Sequence, residues 1–462
     1  MSVVLKLFTI LLILLPKIAA AHPAEQALVL LLPTELYTTA GTLTVVASIV
    51  LISVLPVGLT DRVFRSAALV GASRFGTIQT VTSLISTACV FALIYVGITG
   101  PRDPQANLLP LMLWTGWWIG LFTVQGLLFD VWRWINPWSA LYDLLIQRPE
   151  PILRFPNWLG AWPAAVLFFA YQVFLLADIA PSDPNRLANI LLGYWVFTFT
   201  AMILFGKDAW LRRGEWVTVL FGLIGRLRIV HWDDRLRIGL PGWRALTEKL
   251  DVSLATFCLM ILISGSFDGL KETFWWLGRI GVNPLEFPGR SAVVVPSVLG
   301  LIGAHVVVLT LFVAALALGI LGLNTKAKPG LKDCYCRFAI AILPIALGYH
   351  IAHYLVTALV QTQYLAATLG DPLARGRNLF GLGHIRVTTG FLNTTDTVRM
   401  ILLTNVYAVV ISHVISVVMA HKIAGDLAQT RRDVIVLQLG LSALMIAYTV
   451  FGLWLLSTPR GA

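Results

Sequence analysis

Charge is what this chain lacks most. Of its 462 residues only 12% are Asp, Glu, Lys or Arg, while 58% are hydrophobic. So few charged groups cannot cover the surfaces of the roughly two or three soluble domains that a chain of this length would form. Coiled coils, disordered tails and collagen-like chains are excluded on the same grounds. Only four cysteines occur, spread along the chain, so there is no disulfide framework. No P-loop, Gly-rich dinucleotide fingerprint, H-E-x-x-H or G-x-S-x-G is present, which removes the best-known nucleotide and hydrolase motifs. Internal repeats, low-complexity tracts and long polar stretches are missing as well.

What remains is an all-α, polytopic transmembrane helical bundle of about ten helices behind a cleaved signal peptide. The chain opens with Lys6, the apolar run Leu7 to Leu15, then Lys17 and Ala19-Ala20-Ala21 before His22. The run is too short to span about 30 Å of hydrocarbon, and small residues at Ala19 and Ala21 fit the cleavage rule. Residues 1–21 are therefore expected to be removed, leaving 22–462 as a single integral membrane domain with His22 at its amino terminus.

A window of about 19 residues predicts spans at 34–58, 79–99, 107–129, 158–178, 185–206, 247–267, 292–322, 337–362, 398–421 and 434–456. With the amino terminus exported, both mature termini lie outside a bacterial inner membrane. About twice as many Lys and Arg then fall in inner loops as in outer segments, as the positive-inside rule requires. The net charge of +11 is accounted for by topology, and nucleic acid is not an expected partner; the lipid bilayer is. Trp132, Trp134, Trp138, Trp158, Trp210, Trp216, Trp275 and Trp276 fall near predicted helix ends and read as interfacial anchors. The apolar stretch Gly214 to Arg226 is too short to span and is expected to lie on the inner face. Outer segments of about 268–291 and 363–397 are long for connections in a bundle, which points function to that side.

Polar residues within spans are functional candidates, with satisfied packing as the competing explanation. Gly348-Tyr349-His350-Ile351-Ala352-His353-Tyr354 places two imidazoles on one helix face. Together they can hold a divalent transition metal such as zinc, copper or cobalt. His22, with its free amine, and His305 in the seventh span are further candidate ligands, while His231 and His421 read as structural. Asp268, in Ser264-Gly265-Ser266-Phe267-Asp268-Gly269-Leu270, ends the sixth span as a candidate base or orienter of a metal-bound water, or as a cap of the loop beyond it. Asp371 in the last outer segment is a weaker carboxylate candidate that also fits a pair with a nearby arginine. Asn136-Pro137 between tryptophans reads as an anchor at the inner surface.

Several segments together resemble the bacterial membrane proteins called fenitrothion hydrolases: Ala21-His22, Asn136-Pro137-Trp138, Gly214-Glu-Trp with Phe221-Gly-Leu, Ser264 to Leu270, Ala352-His353-Tyr354, Gln361-x-Gln363, Asp371-Pro372 and Asn378-Leu-Phe-Gly381. The likeness runs from His22 almost to the carboxyl terminus. It implies hydrolysis of a lipophilic organophosphorus (thio)phosphotriester, a substrate that partitions into the bilayer and reaches the outer half of a bundle from the side. There a metal-activated water would attack phosphorus, with His350, His353, His22 and His305 as ligands and Asp268 beside them. The alternative is a copper or zinc permease or metal-handling subunit using the same histidines without hydrolysis, and a chain that acts only with a partner subunit is a third possibility.

Overall fold

The computed structural model describes residues 32–460 apart from 72–75, 148–149, 233–234, 248, 284–288, 326–327 and 382–384. The expected signal peptide, His22 and His384 lie outside the described residues. Among the described residues, nine helices are long and apolar enough to cross a membrane, and the chain is an all-α polytopic bundle.

The principal helices are α1 (Thr34–Val54), α2 (Gly76–Thr99), α3 (Leu108–Leu127), α4 (Trp162–Ala177), α5 (Pro184–Phe205), α6 (Trp216–Ile224), α7 (Val252–Lys271), α8 (Val294–Leu321), α9 (Leu343–Gly370), α10 (Thr395–Leu427) and α11 (Arg431–Ser457). The fourth predicted span is α4. It has 16 residues, about 24 Å at 1.5 Å per residue, short of a full crossing. Pro163 opens it, and the chain turns away at Asp178, whose side chain bonds Ala180 N at 2.9 Å.

Local chemistry sets the ends. Asp183 accepts from Arg186 N at 2.8 Å, with Pro184 at the first helical position of α5. Asp251 caps α7 by accepting from Leu254 N at 2.9 Å. Both satisfy amides that a helix start leaves open.

The bundle is built round α7, 83% of whose apolar window is buried. It packs on α4, α8, α9 and α11, so a polar residue on it meets protein and not lipid. At the periphery, α8 and α11 touch backbone to backbone. A Cβ on Gly319 would lie 2.2 Å from Leu437 O, and one on Gly440 2.2 Å from Ala315 O. Small residues permit that approach where no hydrophobic effect drives helices together. A three-stranded antiparallel sheet lies between the helices in sequence, with Ala67–Gly71 and Val230–Trp232 pairing on either side of Arg235–Ile238.

Two expectations are corrected. The stretch Gly214 to Arg226 does not lie on a face: seven of the nine residues of α6 are buried, because a helix apolar all round is stable only inside. Nor are all the tryptophans interfacial. Trp158 is 81% and Trp275 50% exposed, whereas Trp132, Trp138, Trp210 and Trp216 are buried. The Asn136-Pro137 break explains part of this. Asn136 Oδ1 accepts from Trp138 N at 3.1 Å, and the Ser83 and Thr87 hydroxyls of α2 donate to the Asn136 and Pro137 carbonyls at 2.5 and 2.7 Å. The turn is thereby pinned inside the protein.

Candidate functional site

Asp268 lies within the last turn of α7, three residues before its end at Lys271, so it does not cap the loop beyond the helix. All its side-chain partners are donors or cations. His353 Nε2 on α9 is 3.1 Å from Oδ2 and Tyr354 OH donates to the same oxygen at 2.5 Å. The Lys271 ammonium is 3.3 Å from Oδ1 and 3.6 Å from Glu272 Oε1. A carboxylate in a low-dielectric interior needs such partners, and their convergence is what makes a charged residue tolerable at this depth.

Because Asp268 accepts, the His353 nitrogen facing it carries the proton, so that Nδ1 is the nitrogen that can hold a lone pair. That atom is buried with no protein partner. The Tyr349 ring stacks on His353 at 5.7 Å, and a Cβ on Gly269 would lie 2.2 Å from Tyr349 OH. Glycine at 269 thus lets Tyr349 lie against α7 and hold the imidazole in place.

His350, one turn earlier on α9, points elsewhere. Its ring packs on Phe122 at 4.3 Å, Trp118 at 5.6 Å and Tyr354 at 4.8 Å, and its Nε2 has no partner. His305 on α8 bonds Leu301 O through Nδ1 at 2.8 Å and packs on Phe169. The structure therefore joins Asp268 to His353, sets His350 beside them through Tyr354, and engages His305 separately. Among the described residues no group of three or more His, Cys, Asp and Glu side chains could hold a metal. His350 and His353 offer two bare nitrogens from one helix, whereas a zinc site takes three or four protein ligands.

The remaining candidates have structural partners. His231 bonds Arg228 and Arg244, and His421 is bonded by Gln438. Asp371 accepts from Arg375 N at 2.9 Å and Gly376 N at 2.6 Å, so it shapes its loop through backbone amides. Those N–H groups hold its carboxyl below the usual range.

Sequence reasoning missed the parts contributed by Lys271 and Tyr354. The spacing of Asp268 and Lys271, three apart on a helix, was a usable signal for the first; nothing local marked Tyr354 as a donor to another helix.

It also missed a cavity of about 570 Å³ among α2, α3, α4, α5 and α6, lined by Trp114, Trp117, Tyr171, Trp195 and Trp216 among others. Much of its α3 wall is a π-helix, Met112–Leu121, a form often found at functional sites. Tyr171 stacks on Trp216 at 4.3 Å and contacts Trp118 at 5.1 Å. Trp118 in turn touches His350. The cavity wall and the Asp268 cluster are thus joined by one chain of aromatic contacts.

Compared with protein-family models, with curated proteins and with solved structures, the chain matches none.

Proposed function

We propose that this chain is a membrane-embedded hydrolase of neutral, lipophilic (thio)phosphotriesters, the activity implied by its resemblance to the fenitrothion hydrolases. The observation that carries the reading is the Asp268–His353 contact, with His353 Nδ1 bare on the far side of the ring. An imidazole held by a carboxylate in this way is oriented and tautomerically set to take a proton from water. The water oxygen bonds to phosphorus as its proton passes to Nδ1. The phosphorus–aryloxy bond breaks with its electron pair on the aryl oxygen, and the imidazolium proton then neutralises the aryl oxide. Asp268 is the positioning residue, stabilising the imidazolium as it forms. The cluster lies at the Lys271 end of α7, and a neutral, lipid-soluble substrate approaches it from within the bilayer. These steps use the chain's own side chains, and a metal held at His353 Nδ1 would compete with the proton for the same lone pair.

The test is aryl oxide release from a nitrophenyl phosphotriester by purified protein in micelles, with and without added zinc, cobalt or copper. General-base loss of about 10²–10⁴-fold in kcat is expected for His353→Ala and Asp268→Asn. No release by the wild type in any of these conditions, or a full rate in His353→Ala, overturns the reading.

A second reading, a transition-metal permease, draws on the bare buried imidazole nitrogens of His305, His350, His353 and His413. Metal bound by the wild type without turnover, together with metal uptake into proteoliposomes, would select it.

A further inference from the structure

We infer that a second cavity, at the end of the bundle where α5 ends and α4 and α7 begin, binds an anionic phospholipid, its phosphate held by Arg154, Arg212, Arg213 and Arg226. The inference does not depend on the hydrolase reading.

The cavity has a volume of about 910 Å³ and lies between the 151–157 segment, the short helix Lys207–Arg213, α6 and the first turn of α7. Arg154, Arg212 and Arg213 are exposed at its mouth, and Arg226 is half-buried. Among the described residues Asp251 is the one carboxylate in its lining, and that group accepts from Leu254 N at 2.9 Å as the cap of α7. Arg213 Nη1 donates to Asn157 Oδ1 at 3.0 Å and Arg212 Nε to Asp208 O at 3.0 Å. These neutral acceptors orient the guanidiniums without cancelling their charge. The Asp208 carboxylate is 4.0 Å from Arg212, with the two side chains 75% and 77% exposed, and such a pair contributes little. An excess of positive charge is therefore gathered in one concavity, and guanidinium forks match phosphate oxygens.

The inner wall indicates what carries the phosphate. Leu211, Val219 and Leu223 line it and are buried, an apolar surface suited to the glycerol and acyl part of a lipid and not to a free, hydrated anion. On α6 the seven buried residues leave Thr218 and Gly222 open, and both line this cavity, four residues apart on one helix face. A mid-helix glycine is unfavourable. Yet a Cβ at Gly222 would meet nothing within 4 Å, so no protein contact requires the glycine, and the space it leaves is room for an occupant.

The mouth lies at head-group depth. Trp158 and Trp162, 81% and 42% exposed, stand at the start of α4, and exposed indoles favour the membrane–water interface. Basic pockets between helices at this level suit anionic head groups. The site is also formed in advance: Leu153 N bonds Leu204 O at 2.7 Å, and Phe155 packs on Phe205 and Trp210, which fixes the segment carrying Arg154 to the end of α5.

The test is native mass spectrometry of the full chain in detergent, titrated with dioleoylphosphatidylglycerol or dioleoylphosphatidylcholine, with inorganic phosphate as competitor. The wild type should retain one phosphatidylglycerol per chain at concentrations where phosphatidylcholine is not retained, and millimolar phosphate should leave it bound. Arg212→Gln with Arg213→Gln should weaken retention by about 10- to 30-fold, the usual worth of two arginines against an anionic lipid surface. Gly222→Leu, which fills the cavity and keeps its charge, should abolish the one-lipid plateau. Arg62→Gln with Arg65→Gln, the same charge change at exposed arginines outside the cavity, should leave it near the wild-type value. Removing charge at the mouth and space at the wall are separate routes, so failure of one variant to fold leaves the other to decide. Equal retention of the two lipids, equal losses in the two arginine pairs, or full binding by Gly222→Leu overturns the inference. Displacement of the lipid by millimolar phosphate also overturns it, leaving a site for a soluble phosphate. Neither readout involves triester turnover, so the hydrolase reading stands or falls separately.

Discussion

Lys271→Met should destabilise the protein strongly, and combining it with Asp268→Asn should cost clearly less than the sum of the two single losses. The ammonium and carboxylate are 3.3 Å apart, with side chains 12% and 10% exposed. At an effective dielectric of about 20, this separation corresponds to an attraction of about 5 kcal/mol. Desolvation costs several kcal/mol per ion and offsets most of that, so the intact pair contributes little beyond an apolar pair of the same shape. Removing one partner is different, because the other charge is left buried at a cost of about 3–5 kcal/mol. Asp268→Asn should fall at the lower end of that range, since Lys271 keeps Glu272 at 3.6 Å. The cycle of Lys271→Met, Asp268→Asn and their combination should show coupling of about 2–3 kcal/mol, read from equilibrium unfolding in mixed micelles. Single variants within about 0.5 kcal/mol of the wild type, the range of ordinary surface changes, or a double variant equal to the sum of the singles, would refute the argument.

Glu215 is fully buried and accepts from Val217 N at 2.8 Å, Thr218 N and Oγ1 at 2.6 Å each, and Tyr194 OH. Glu215→Gln turns an amide N–H₂ towards donors and should cost about 1–3 kcal/mol, visible as a lower melting temperature; an unchanged melt would contradict the network. Trp138 is buried, with its Nε1 donating to Trp195 O at 3.1 Å, whereas Trp158 is 81% exposed. Trp138→Ala should lose about 3–5 kcal/mol and Trp158→Ala no more than about 0.5 kcal/mol, and equal losses would reverse the assignment of core and anchor. The depressed Asp371 carboxyl fixes a sign. Its contribution to loop order is complete above the ordinary carboxylate pKa of about 4 and is lost as pH falls through its lower folded value. Hydrogen exchange at Arg375 and Gly376 should accelerate, relative to its intrinsic pH dependence, only below that range, and Asp371→Ala should remove the transition.

The fold was legible because a bilayer-spanning helix writes itself into composition. About 20 consecutive apolar residues leave few alternatives, and predicted span boundaries at 107–129 and 185–206 lie close to the helices Leu108–Leu127 and Pro184–Phe205. The fourth span, 158–178, begins too early because residues 158–161 are apolar, whereas they form a short 3-10 turn and Gly160 before the helix starts at Trp162. Tryptophan position was the weak inference: Trp132 and Trp138 lie near a helix break by sequence, but Ser83 and Thr87 from α2 hold that break inside the bundle. The candidate site was half visible. His350, His353 and Asp268 stood out as polar residues in apolar spans, but their one-turn spacing did not reveal that His353 bonds Asp268 while His350 packs on Trp118 and Phe122.

Sequence alone determined that the chain is a helical membrane bundle, since the apolar content of each segment and the shortage of charge are sums over neighbouring residues. It also determined which polar residues must be explained, because the cost of a carboxylate or imidazole at membrane depth does not depend on its partners. Tertiary structure decided the rest. Tyr354 and Lys271 became the partners of Asp268, and Tyr171 and Trp114 came to line one cavity. Which side of each helix meets which neighbour is set by interhelical packing in three dimensions, and in a helix hydrophobic nearly all round no local periodicity records it.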